Sequence, residues 1–571
     1  MAPTAAAMPV DAIAAAGRPP RLVDASEPNP WQDEADVVVV GLGMAGVCAA
    51  LEALDQKVDV LSVEAYAGGG ASRLSGGVCY AGGTRFQRDA GVDDSPEEML
   101  KYLRAELDDT APEDLLRDFS HSSAGNLDWL VGQGVAFNNA LTEEKTSYPA
   151  KGFFLYYSGN ERLPEYRAQA RPAPRGHRTF DPNAGASPTG RILFDTLLAT
   201  AKAKGMRLMT FTPVRRLVVD ETGRVAGVEA QVIQGAVWRW LYRTLTAAYV
   251  PLNPFLGSWH RLIQYLIGGV ERIAGRPYRL RARKGVILSA GGMISNRALV
   301  AAYAPVYLST TPQGSIGCDG SGIALGVSVG AATVNMTRVN PSRSIAPPSA
   351  FVKGMVVNRS GQRFLNEEVY LSVLGREIAE KQGGVAWQIV DARMMAAARE
   401  QLKLYGPRSG RFLYGGLPIW LNLFFGGTRK ASTMAGLARK LGMAEGLLEA
   451  EAEAYNRGAR QGQDRFGKSA NYSQPIESAP FYAINTGTNR PIPITLSFTL
   501  GGVRIDHRTG AVLREDGSAV AGLYAAGRTA AGLPANGYVS GLSLADCVYS
   551  GRHAALGTLM APTSVPDEAS P

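Results

Sequence analysis

The chain is poor in cysteine and histidine for its length. Its 571 residues include four cysteines and five histidines. The cysteines lack the close spacing of a CxxC pair, which favours reduced thiols in the core of a cytosolic protein. The few histidines offer little material for a metal centre, so we assign no metal ligands. The four cysteines are Cys48, Cys79, Cys318 and Cys547.

A strong excess of one charge and long apolar runs are also missing. The formal net charge of +8 is modest, and no lysine–arginine run marks a nucleic-acid surface, so we expect no nucleic-acid partner. No uninterrupted apolar stretch reaches the roughly 20 residues that a bilayer-crossing helix needs. Residues 1–30 are rich in alanine and proline but lack the pattern of a signal peptide, and we expect a flexible leader there.

A strand–turn–helix–strand pattern is present near the N-terminus. Val37 to Val40 are four valines in a row, as in a strand that is buried on both faces. The glycine-rich turn from Gly41 to Gly46 and an alanine-rich helix to about Asp55 follow. A second strand, from Val58 to Val63, ends on Glu64. This order is the βαβ fingerprint of a dinucleotide-binding site in its required context.

The residues of this fingerprint have separate expected roles. Gly41 permits the tight turn, Gly43 lets the backbone approach a diphosphate, and Gly46 lets the helix pack closely on the strand. The N-terminus of the helix offers free N–H groups and a positive dipole end to the phosphates. Glu64 is placed to accept hydrogen bonds from a ribose diol. The fingerprint alone leaves open whether the ligand is FAD or NAD.

A glycine-rich tract follows the acid at once, from Gly68 to Gly83. Such density predicts a loop whose backbone lies against a flat, phosphate-bearing cofactor. Ser72, Ser75 and Thr84 can supply hydroxyl groups. A merely flexible linker is the weaker interpretation, because a linker has no need to follow a ribose-binding acid.

Two apolar stretches interrupt the chain, at residues 234–281 and 408–430. The first contains Trp238, Trp240 and Trp259, with arginines among them and prolines in the middle. Apolar segments that are rich in tryptophan and flanked by arginine are typical of a membrane interface. We therefore predict monotopic attachment to a membrane surface through these insertions. Buried helices or a dimer interface are the alternatives.

Six segments, taken in order, resemble those of the fumarate reductase and 3-ketosteroid dehydrogenase superfamily of flavoproteins. The resemblance covers nearly the whole chain beyond residue 30, and it implies FAD as the cofactor. The segments are Gly41–Glu64, Gly68–Gly83, Ser289–Gly292, Val357–Glu367, Thr499–Asp506 and Leu523–Arg528.

The resemblance also implies the organisation of the chain. We expect an α/β, Rossmann-like FAD-binding domain of the glutathione-reductase type, built from both ends of the chain, with an inserted α+β substrate (capping) domain. The FAD-binding domain then takes residues 31–292 and 481–560, the capping domain takes 293–480, and 561–571 form a tail. A length of 571 residues suits two or three domains.

By the same resemblance, residues from several parts of the chain are predicted to bind FAD. The histidine that attaches the flavin covalently in some relatives is missing, because the matching tract runs from Ser72 to Ser75 without one. We therefore expect non-covalent FAD. The predicted contacts are Gly41, Gly43, Met44, Ala45, Gly46, Glu64, Ala65, Gly70, Ala71, Ser72, Ser75, Gly76, Gly77, Val214, Ala290, Gly291, Gly292, Gly527, Ser543 and Leu544.

The chain departs from the fumarate reductases where they bind a dicarboxylate. Those enzymes place a histidine just before the threonine that matches Thr499, and this chain has Phe498 there. They also carry an arginine proton donor after the pair that matches Asn366–Glu367, where this chain has Glu368 to Tyr370. A dicarboxylate needs cationic partners. A fumarate reductase-like electron-transfer flavoprotein is therefore kept only as a remote alternative.

The segment from Leu533 to Gly541 resembles the matching tract of the 3-ketosteroid Δ4-(5α)-dehydrogenases. Those enzymes carry a Tyr-x-Ser in this tract and a tyrosine after the Asn-Glu pair, which match Tyr538, Ser540 and Tyr370. The resemblance implies that Tyr538 polarises the C3 carbonyl, that Ser540 takes the C4 proton and that Tyr370 relays it. Other tyrosines can line the pocket, but the sequence does not separate them from packing residues: Tyr156, Tyr157 and Tyr414.

These matches predict a bacterial FAD-dependent 3-oxosteroid 4-dehydrogenase, which introduces a C4–C5 double bond into a 3-keto-5α-steroid. Δ1-dehydrogenation and flavin-dependent ene-reduction within the same family are the open alternatives. A 3-ketosteroid concentrates in membranes, so we expect a cytoplasmic enzyme attached peripherally to the inner face of the cell membrane. A membrane quinone is one candidate for the unknown electron acceptor.

Overall fold

The computed structural model describes residues 12–14, 17–23, 30–107, 111–144, 146, 148–185, 187–252, 257–406, 416–492 and 494–560, and between 248 and 261 it describes the backbone alone. Several sequence predictions fall outside these residues. They are most of the leader, the tail at 561–571, the start of the second apolar stretch with Tyr414, and the side chain of Trp259.

The strands are numbered in chain order. They are β1 Arg21–Leu22, β2 Asp33–Val40, β3 Val60–Val63, β4 Val78–Tyr80, β5 Leu141–Thr142, β6 Leu155–Tyr156, β7 Gly176–Arg178, β8 Arg207–Met209, β9 Val214–Val219, β10 Val225–Ile233, β11 Gly275–Leu288, β12 Thr311–Pro312, β13 Thr333–Val334, β14 Val339–Ser342, β15 Met355–Val357, β16 Trp387–Val390, β17 Arg429–Ala431, β18 Phe481–Asn485, β19 Leu496–Thr499, β20 Gly502–Val503, β21 Ala511–Leu513 and β22 Ala519–Ala525.

The α-helices are also numbered in chain order. They are α1 Met44–Asp55, α2 Gly70–Arg73, α3 Arg85–Asp89, α4 Pro96–Glu106, α5 Glu113–Gly132, α6 Pro164–Arg167, α7 Gly190–Ala203, α8 Ala236–Leu252, α9 Gly257–Ala274, α10 Arg297–Tyr303, α11 Ser321–Val327, α12 Ser349–Val352, α13 Leu371–Arg376, α14 Ala392–Leu402, α15 Leu417–Phe425, α16 Met434–Leu441, α17 Leu447–Gln461 and α18 Leu542–Leu559.

The largest sheet has nine strands and lies at the centre of the first lobe. Its parallel part contains β22, β11, β2, β3 and β8, and β10 and β9 extend it in the antiparallel sense. In β2, Val38 and Val40 belong to one apolar core, whereas Val37 and Val39 belong to another. Both faces of this strand are buried, which explains its unbroken run of valines.

The two ends of the chain meet on this sheet. Helix α18 packs along α1. A Cβ atom at Gly551 would lie 2.5 Å from the backbone oxygen of Ala45, and one at Gly46 would lie 2.1 Å from that of Gly41. Both distances are far below van der Waals contact, so only glycine allows this close approach. The N-terminal fingerprint and the C-terminal helix α18 therefore pack together in one lobe.

A second lobe surrounds the antiparallel sheet β15–β16–β18–β17. A buried ionic cluster supports it. Glu367 accepts a hydrogen bond from the Val356 N–H at 2.8 Å and pairs with Arg363 at 2.8 Å and Lys468 at 3.2 Å. Arg363 also reaches Asp464 at 2.7 Å. Burial opposes ionisation, but the charges of Lys468 and Arg363 bring the pKa of Glu367 below its usual value. The contacts of Glu367 in this segment are thus structural.

Helices α8 and α9 form a hairpin between β10 and β11. These strands pair in the antiparallel sense, with Ile233 opposite Gly275. The helical hairpin therefore occupies the place of a short β-turn. The helices end at Ala274, and residues 275–281, the last part of the predicted apolar insertion, belong to β11.

Part of the predicted leader belongs to the fold. Strand β1 pairs with β9, with Arg21 opposite Val218, and Ile13 is fully buried in the core of the main sheet. The expectation of a flexible leader is therefore wrong for these residues. Strand β9 and the apolar core residues that contact this segment lie far from it in the sequence. The local sequence therefore gives no sign of these contacts.

Candidate active site

A cavity of about 510 Å³ lies at the carboxyl ends of β2 and β3. Ligands of doubly wound folds bind at this edge of a parallel sheet. Most of the residues that the sequence predicts to bind FAD line the cavity. They are Gly41, Gly43, Met44, Ala45, Glu64, Ala65, Gly70, Ala71, Ser72, Val214, Ala290, Gly291 and Gly527.

The fingerprint forms one wall of this cavity. Gly41 has a φ of +91°, and a Cβ there would lie 2.7 Å from Ala290 Cα. Among the described residues, a Cβ at Gly43 would contact only the Ser72 hydroxyl, at 3.7 Å. That hydroxyl accepts a hydrogen bond from the Met44 N–H at 3.1 Å. The N-terminus of α1 is therefore bordered by bare backbone and open space, which fits a diphosphate.

Glu64 lies directly after β3 and lines the same cavity. Its carboxylate accepts hydrogen bonds from the N–H groups of Leu42 at 2.7 Å and Tyr66 at 2.9 Å. Burial raises the pKa of Glu64, and these backbone donors oppose the rise. An oriented carboxylate beside a helix N-terminus fits the ribose and diphosphate of FAD.

Among the described residues, the other predicted FAD contacts lie outside the cavity wall. Ser75 supports the wall, because its hydroxyl donates to the Ser72 carbonyl at 2.7 Å and accepts from the Gly77 N–H at 3.2 Å. Contact with FAD stays a prediction for these residues, as it does for those in the cavity wall. The residues outside the wall are Gly46, Ser75, Gly76, Gly77, Gly292, Ser543 and Leu544.

Sequence reasoning missed several charged or aromatic residues of the cavity. Tyr66 and Arg215 could have been found, because each directly follows a predicted contact, Ala65 or Val214. Arg243 comes from the hairpin α8–α9, which the sequence assigns to a membrane surface. The missed residues are Tyr66, Phe211, Arg215, Arg243, Asp319 and Arg528.

The three predicted catalytic residues lie together although distant segments supply them. The ring centroids of Tyr370 and Tyr538 are 6.4 Å apart. The Ser540 side chain lies close enough to the Tyr370 phenol to lower the pKa of that phenol, against the larger effect of burial. Tyr370 is buried at the N-terminus of α13, and Tyr538 and Ser540 are half-buried.

Two serine hydroxyls fix the backbone of this group. Ser372 Oγ donates to the carbonyl of Tyr538 at 2.9 Å, and Ser158 Oγ donates to the carbonyl of Ser540 at 3.0 Å. The backbone at Tyr538 and Ser540 is thus hydrogen-bonded to two other segments of the chain. Such tethers hold side chains in a productive geometry.

A buried polar network anchors Tyr370. Its backbone N–H donates to Asn160 Oδ1 at 2.6 Å, and Asn160 Nδ2 donates to Glu106 at 3.0 Å. The Tyr102 hydroxyl donates to the same carboxyl at 2.8 Å. Burial raises the pKa of Glu106 to about 7, although both donors act in the opposite direction.

The two phenols that are predicted to be catalytic, Tyr538 and Tyr370, are neutral hydrogen-bond donors at ordinary pH. Burial raises the pKa of Tyr538 to about 12, while the charge of Arg528 and the backbone N–H of Gly541 oppose the rise. Burial also raises the pKa of Tyr370 well above its ordinary value, and the phenols of Tyr538 and Tyr156 add to this effect.

Tyr156 is a fourth member of the group. Its hydroxyl lies 3.1 Å from Ser540 Oγ, and its side chain is fully buried. Strand β6 places it opposite Gly176, where a Cβ would lie 2.8 Å from the Tyr156 ring. The sequence names Tyr156 only as one of several tyrosines that can line the pocket, because its contact with Ser540 spans 384 residues.

Phe498 stands where the fumarate reductases carry a histidine, and it packs against Tyr538. The two rings meet edge to face, with centroids 5.1 Å apart. The guanidinium of Arg528, which lines the cavity, lies 5.2 Å from the centroid of the Phe498 ring. The predicted catalytic group therefore adjoins the cavity through these two side chains.

From the raised pKa values of two buried carboxyls we predict that the stability of the fold changes with pH. Burial raises the pKa of both Asp546 and Glu106 to about 7. Unfolded carboxyls titrate at about pH 4. Between these values the unfolded chain has lost the two protons while the folded chain keeps them, so stability falls as the pH rises toward 7. Buried His177 acts in the opposite direction, because burial lowers its pKa to about 4.

We expect Asp546→Asn to flatten this decline between pH 5 and 7. The amide can still accept the hydrogen bond from the Leu533 N–H, at 3.1 Å, but it does not titrate. Thermal unfolding of the holoenzyme from pH 5 to 8 measures the effect. Asp89→Asn, an exposed replacement in α3, is the matched control. A decline in the Asp546 variant as steep as in the parent would contradict the prediction.

Residues 36–541 match the family model described as FAD binding domain. The chain is 36% identical over 514 residues to the 3-oxo-5-alpha-steroid 4-dehydrogenase of Comamonas testosteroni, which covers 87% of this chain and 93% of that protein. It is 28% identical over 552 residues to a 3-oxosteroid 1-dehydrogenase of Mycolicibacterium smegmatis, with coverages of 86% and 91%.

A solved structure shares this fold. It is the crystal structure of 3-ketosteroid-delta4-(5alpha)-dehydrogenase from Rhodococcus jostii RHA1 in complex with 4-androstene-3,17-dione, with a TM-score of 0.78 and 30% identity. The match covers 95% of this chain and 100% of that one. The predicted α/β FAD-binding fold is confirmed. The chain belongs to the FAD-binding flavoprotein family that includes the 3-oxosteroid dehydrogenases, and its cofactor is FAD.

Proposed function

We propose that this flavoprotein is a 3-oxosteroid 4-dehydrogenase, which introduces a C4–C5 double bond into 3-keto-5α-steroids. One observation carries the proposal: Tyr538, Ser540 and Tyr370 form one group that adjoins the FAD cavity through Phe498 and Arg528. The activities named for the relatives at 36% and 30% identity support the same reaction.

The reaction removes a proton from C4 and a hydride from C5 of the steroid. Bound FAD, which we expect to be held non-covalently, supplies the acceptor for the hydride at N5 of its ring. The protein must polarise the C3 ketone. Tyr538 is suited to this task, because a neutral phenol donates a hydrogen bond that strengthens as enolate charge develops on the ketone oxygen.

Ser540 takes the C4 proton. A neutral serine is a weak base, so its own hydroxyl proton must leave as the C4 proton arrives. Two neighbouring phenols can relay that proton, because a neutral phenol that accepts it releases its own hydroxyl proton onward to solvent. Tyr156 lies 3.1 Å from Ser540 Oγ, and Tyr370 lies beside the same hydroxyl. The proposed base is therefore the centre of a chain of hydroxyl groups.

Product regiochemistry tests the proposal. The purified holoenzyme is supplied with a saturated 5α-3-ketosteroid and an artificial electron acceptor, and the product is examined by proton NMR. A single vinylic proton at C4 is expected. A pair of coupled vinylic protons at C1 and C2 would show Δ1-dehydrogenation instead. An enzyme that leaves the saturated ketone unchanged but reduces the double bond of a supplied 4-ene-3-ketone would be an ene-reductase.

We also propose that the enzyme binds a membrane surface. In the described part of the chain, no helix is long and apolar enough to cross a membrane. Large apolar side chains are nevertheless exposed: Trp240 by 65% and Tyr265 by 69% on the hairpin, and Phe424 by 70% and Phe425 by 74% on α15. Exposed aromatic side chains beside cations suit an anionic lipid surface. The flanking exposed cations are Arg239, Arg272, Arg276, Arg429 and Lys430.

Sedimentation with anionic phospholipid vesicles tests this attachment. We expect the parent protein to sediment with the vesicles, and we expect Trp240→Asp with Tyr265→Asp, or Phe424→Asp with Phe425→Asp, to leave most of it in solution. The control is Val306→Asp, an exposed apolar residue outside both segments. A parent protein that stays in solution, or variants that sediment as the parent does, would refute the attachment.

We propose a membrane quinone as the electron acceptor of the attached enzyme. An enzyme on the membrane surface meets both a steroid and a quinone there. Anaerobic reoxidation of the reduced flavin by a short-chain quinone is the test. Reoxidation no faster than the protein's reaction with a water-soluble dye would remove quinone from consideration.

A further inference from the structure

The helical hairpin α8–α9 borders the FAD cavity as well as the solvent. Its residues Arg243, Thr246 and Ala247 line the cavity. Trp240, three residues before Arg243 on the same helix, is instead 65% exposed. One surface of the hairpin is therefore turned to the protein, which a purely membrane-attached insertion does not require.

Several contacts hold the hairpin against two parts of the cavity wall: the residues that follow β3 and those at the start of β9. The ring of Tyr242 on α8 stacks on Tyr66, with centroids 6.3 Å apart and 11° between the planes. The Tyr242 hydroxyl donates to Glu271 of α9 at 2.9 Å. Glu271 also pairs with Arg215, which lines the cavity. Tyr242 is fully buried.

A second contact lies in the wall of the cavity. The guanidinium of Arg243 lies 4.8 Å from the centroid of the Phe211 ring, and both residues line the cavity. Such a cation–π contact orients the guanidinium. Phe211 also meets Tyr242 edge to face, with centroids 6.2 Å apart.

We propose that the hairpin is a third FAD-binding element, which closes the adenosine end of the cofactor site. Tyr66 follows the ribose-binding position Glu64 by two residues, and Arg215 follows the predicted contact Val214. The hairpin covers both. It also adds the cation of Arg243 at a site whose ligand carries a diphosphate, and guanidinium groups favour such anions. The proposal rests on FAD binding and is independent of the steroid chemistry.

FAD release from the holoenzyme tests the role of Arg243. The rise of free-flavin fluorescence after dilution gives the dissociation constant. We expect Arg243→Ala to weaken FAD binding about tenfold, as the loss of one charged hydrogen-bonding partner does. Arg399→Ala is the control, because Arg399 is an exposed arginine of α14 and is absent from the cavity wall. It should leave FAD affinity unchanged.

FMN keeps the flavin and one phosphate but lacks the adenosine monophosphate half of FAD, so it locates the effect. The same measurement is made after the flavin has been exchanged for FMN, and Arg243→Ala should leave that affinity unchanged. An equal loss for FMN and FAD would overturn the placement at the adenosine end. An FAD affinity equal to that of the parent would overturn the role of Arg243 altogether.

Removal of the hairpin is the stronger test. The Gln234 N–H donates to the Ala274 carbonyl at 2.9 Å, so an Asn-Gly turn can replace residues 235–273 and close β10 on β11. We expect this protein to lose FAD affinity by more than a hundredfold. Affinity within about threefold of the parent would overturn the proposal, and if the shortened chain does not fold, the Arg243 variant decides.

Discussion

Tyr538→Phe is expected to lower turnover about 10²- to 10³-fold, which is the loss seen when one donor to a developing oxyanion is removed. The phenylalanine keeps the ring contacts with Phe498 and Tyr370 and loses only the hydroxyl. That hydroxyl has a pKa of about 12, so it donates a hydrogen bond across the usable pH range. The steady-state rate with a 5α-3-ketosteroid measures the effect.

Two comparisons make the Tyr538 result specific. FAD content and the melting temperature should match those of the parent, because Tyr538 lies outside the wall of the FAD cavity. Tyr549→Phe is the matched control. The Tyr549 hydroxyl is buried on α18 and has no hydrogen-bond partner among the described residues, so its removal should leave turnover unchanged. A Tyr538→Phe enzyme within about threefold of the parent would exclude Tyr538 as the electrophile.

The cofactor site is largely predictable because local sequence determines it. The turn at Gly41, the approach at Gly43 and the acid at Glu64 belong to one short stretch of chain, and the geometry of a βαβ unit fixes their relative positions. The structure confirms the strand, helix and strand in that order. The bounds differ by a few residues, since β2 begins at Asp33 rather than Val37.

The rest of the site depends on contacts between distant segments. Tyr156 and Ser540 are 384 residues apart, and only the assembled sheet around β6 brings them together. In the hairpin, the aromatic residues that suggest a membrane surface include buried ones, such as Tyr242, as well as exposed ones. Buried and exposed positions of the hairpin carry the same residue types. The richness of this segment in tryptophan and arginine therefore cannot show which of its surfaces faces the protein.

Ser540→Ala is expected to lower turnover by about 10²- to 10⁴-fold, the usual cost of removing a general base. Tyr538 remains, so the ketone is still polarised and the Michaelis constant should change little. Loss of the base makes cleavage of the C4–H bond slower than that of the C5–H bond. The kinetic isotope effect of a C4-deuterated substrate should therefore increase, whereas that of a C5-deuterated substrate should decrease.

Ser158→Ala is the comparison for Ser540→Ala. It removes the hydrogen bond to the Ser540 carbonyl but leaves the Ser540 hydroxyl in place. We expect a smaller loss of turnover and isotope effects that match those of the parent. A Ser540→Ala enzyme with a near-parental rate, or with an unchanged C4 isotope effect, would remove Ser540 from the role of base.

The neighbours of Ser540 decide whether the hydroxyl groups act as one relay. Tyr156→Phe and Tyr370→Phe should each retain FAD and lose most turnover, because each phenol borders the same serine hydroxyl. Residues that act as a unit give strongly non-additive losses. The double variant should therefore be about as slow as the slower single variant. A double variant whose loss equals the product of the two single losses would show that the phenols act independently rather than as one relay.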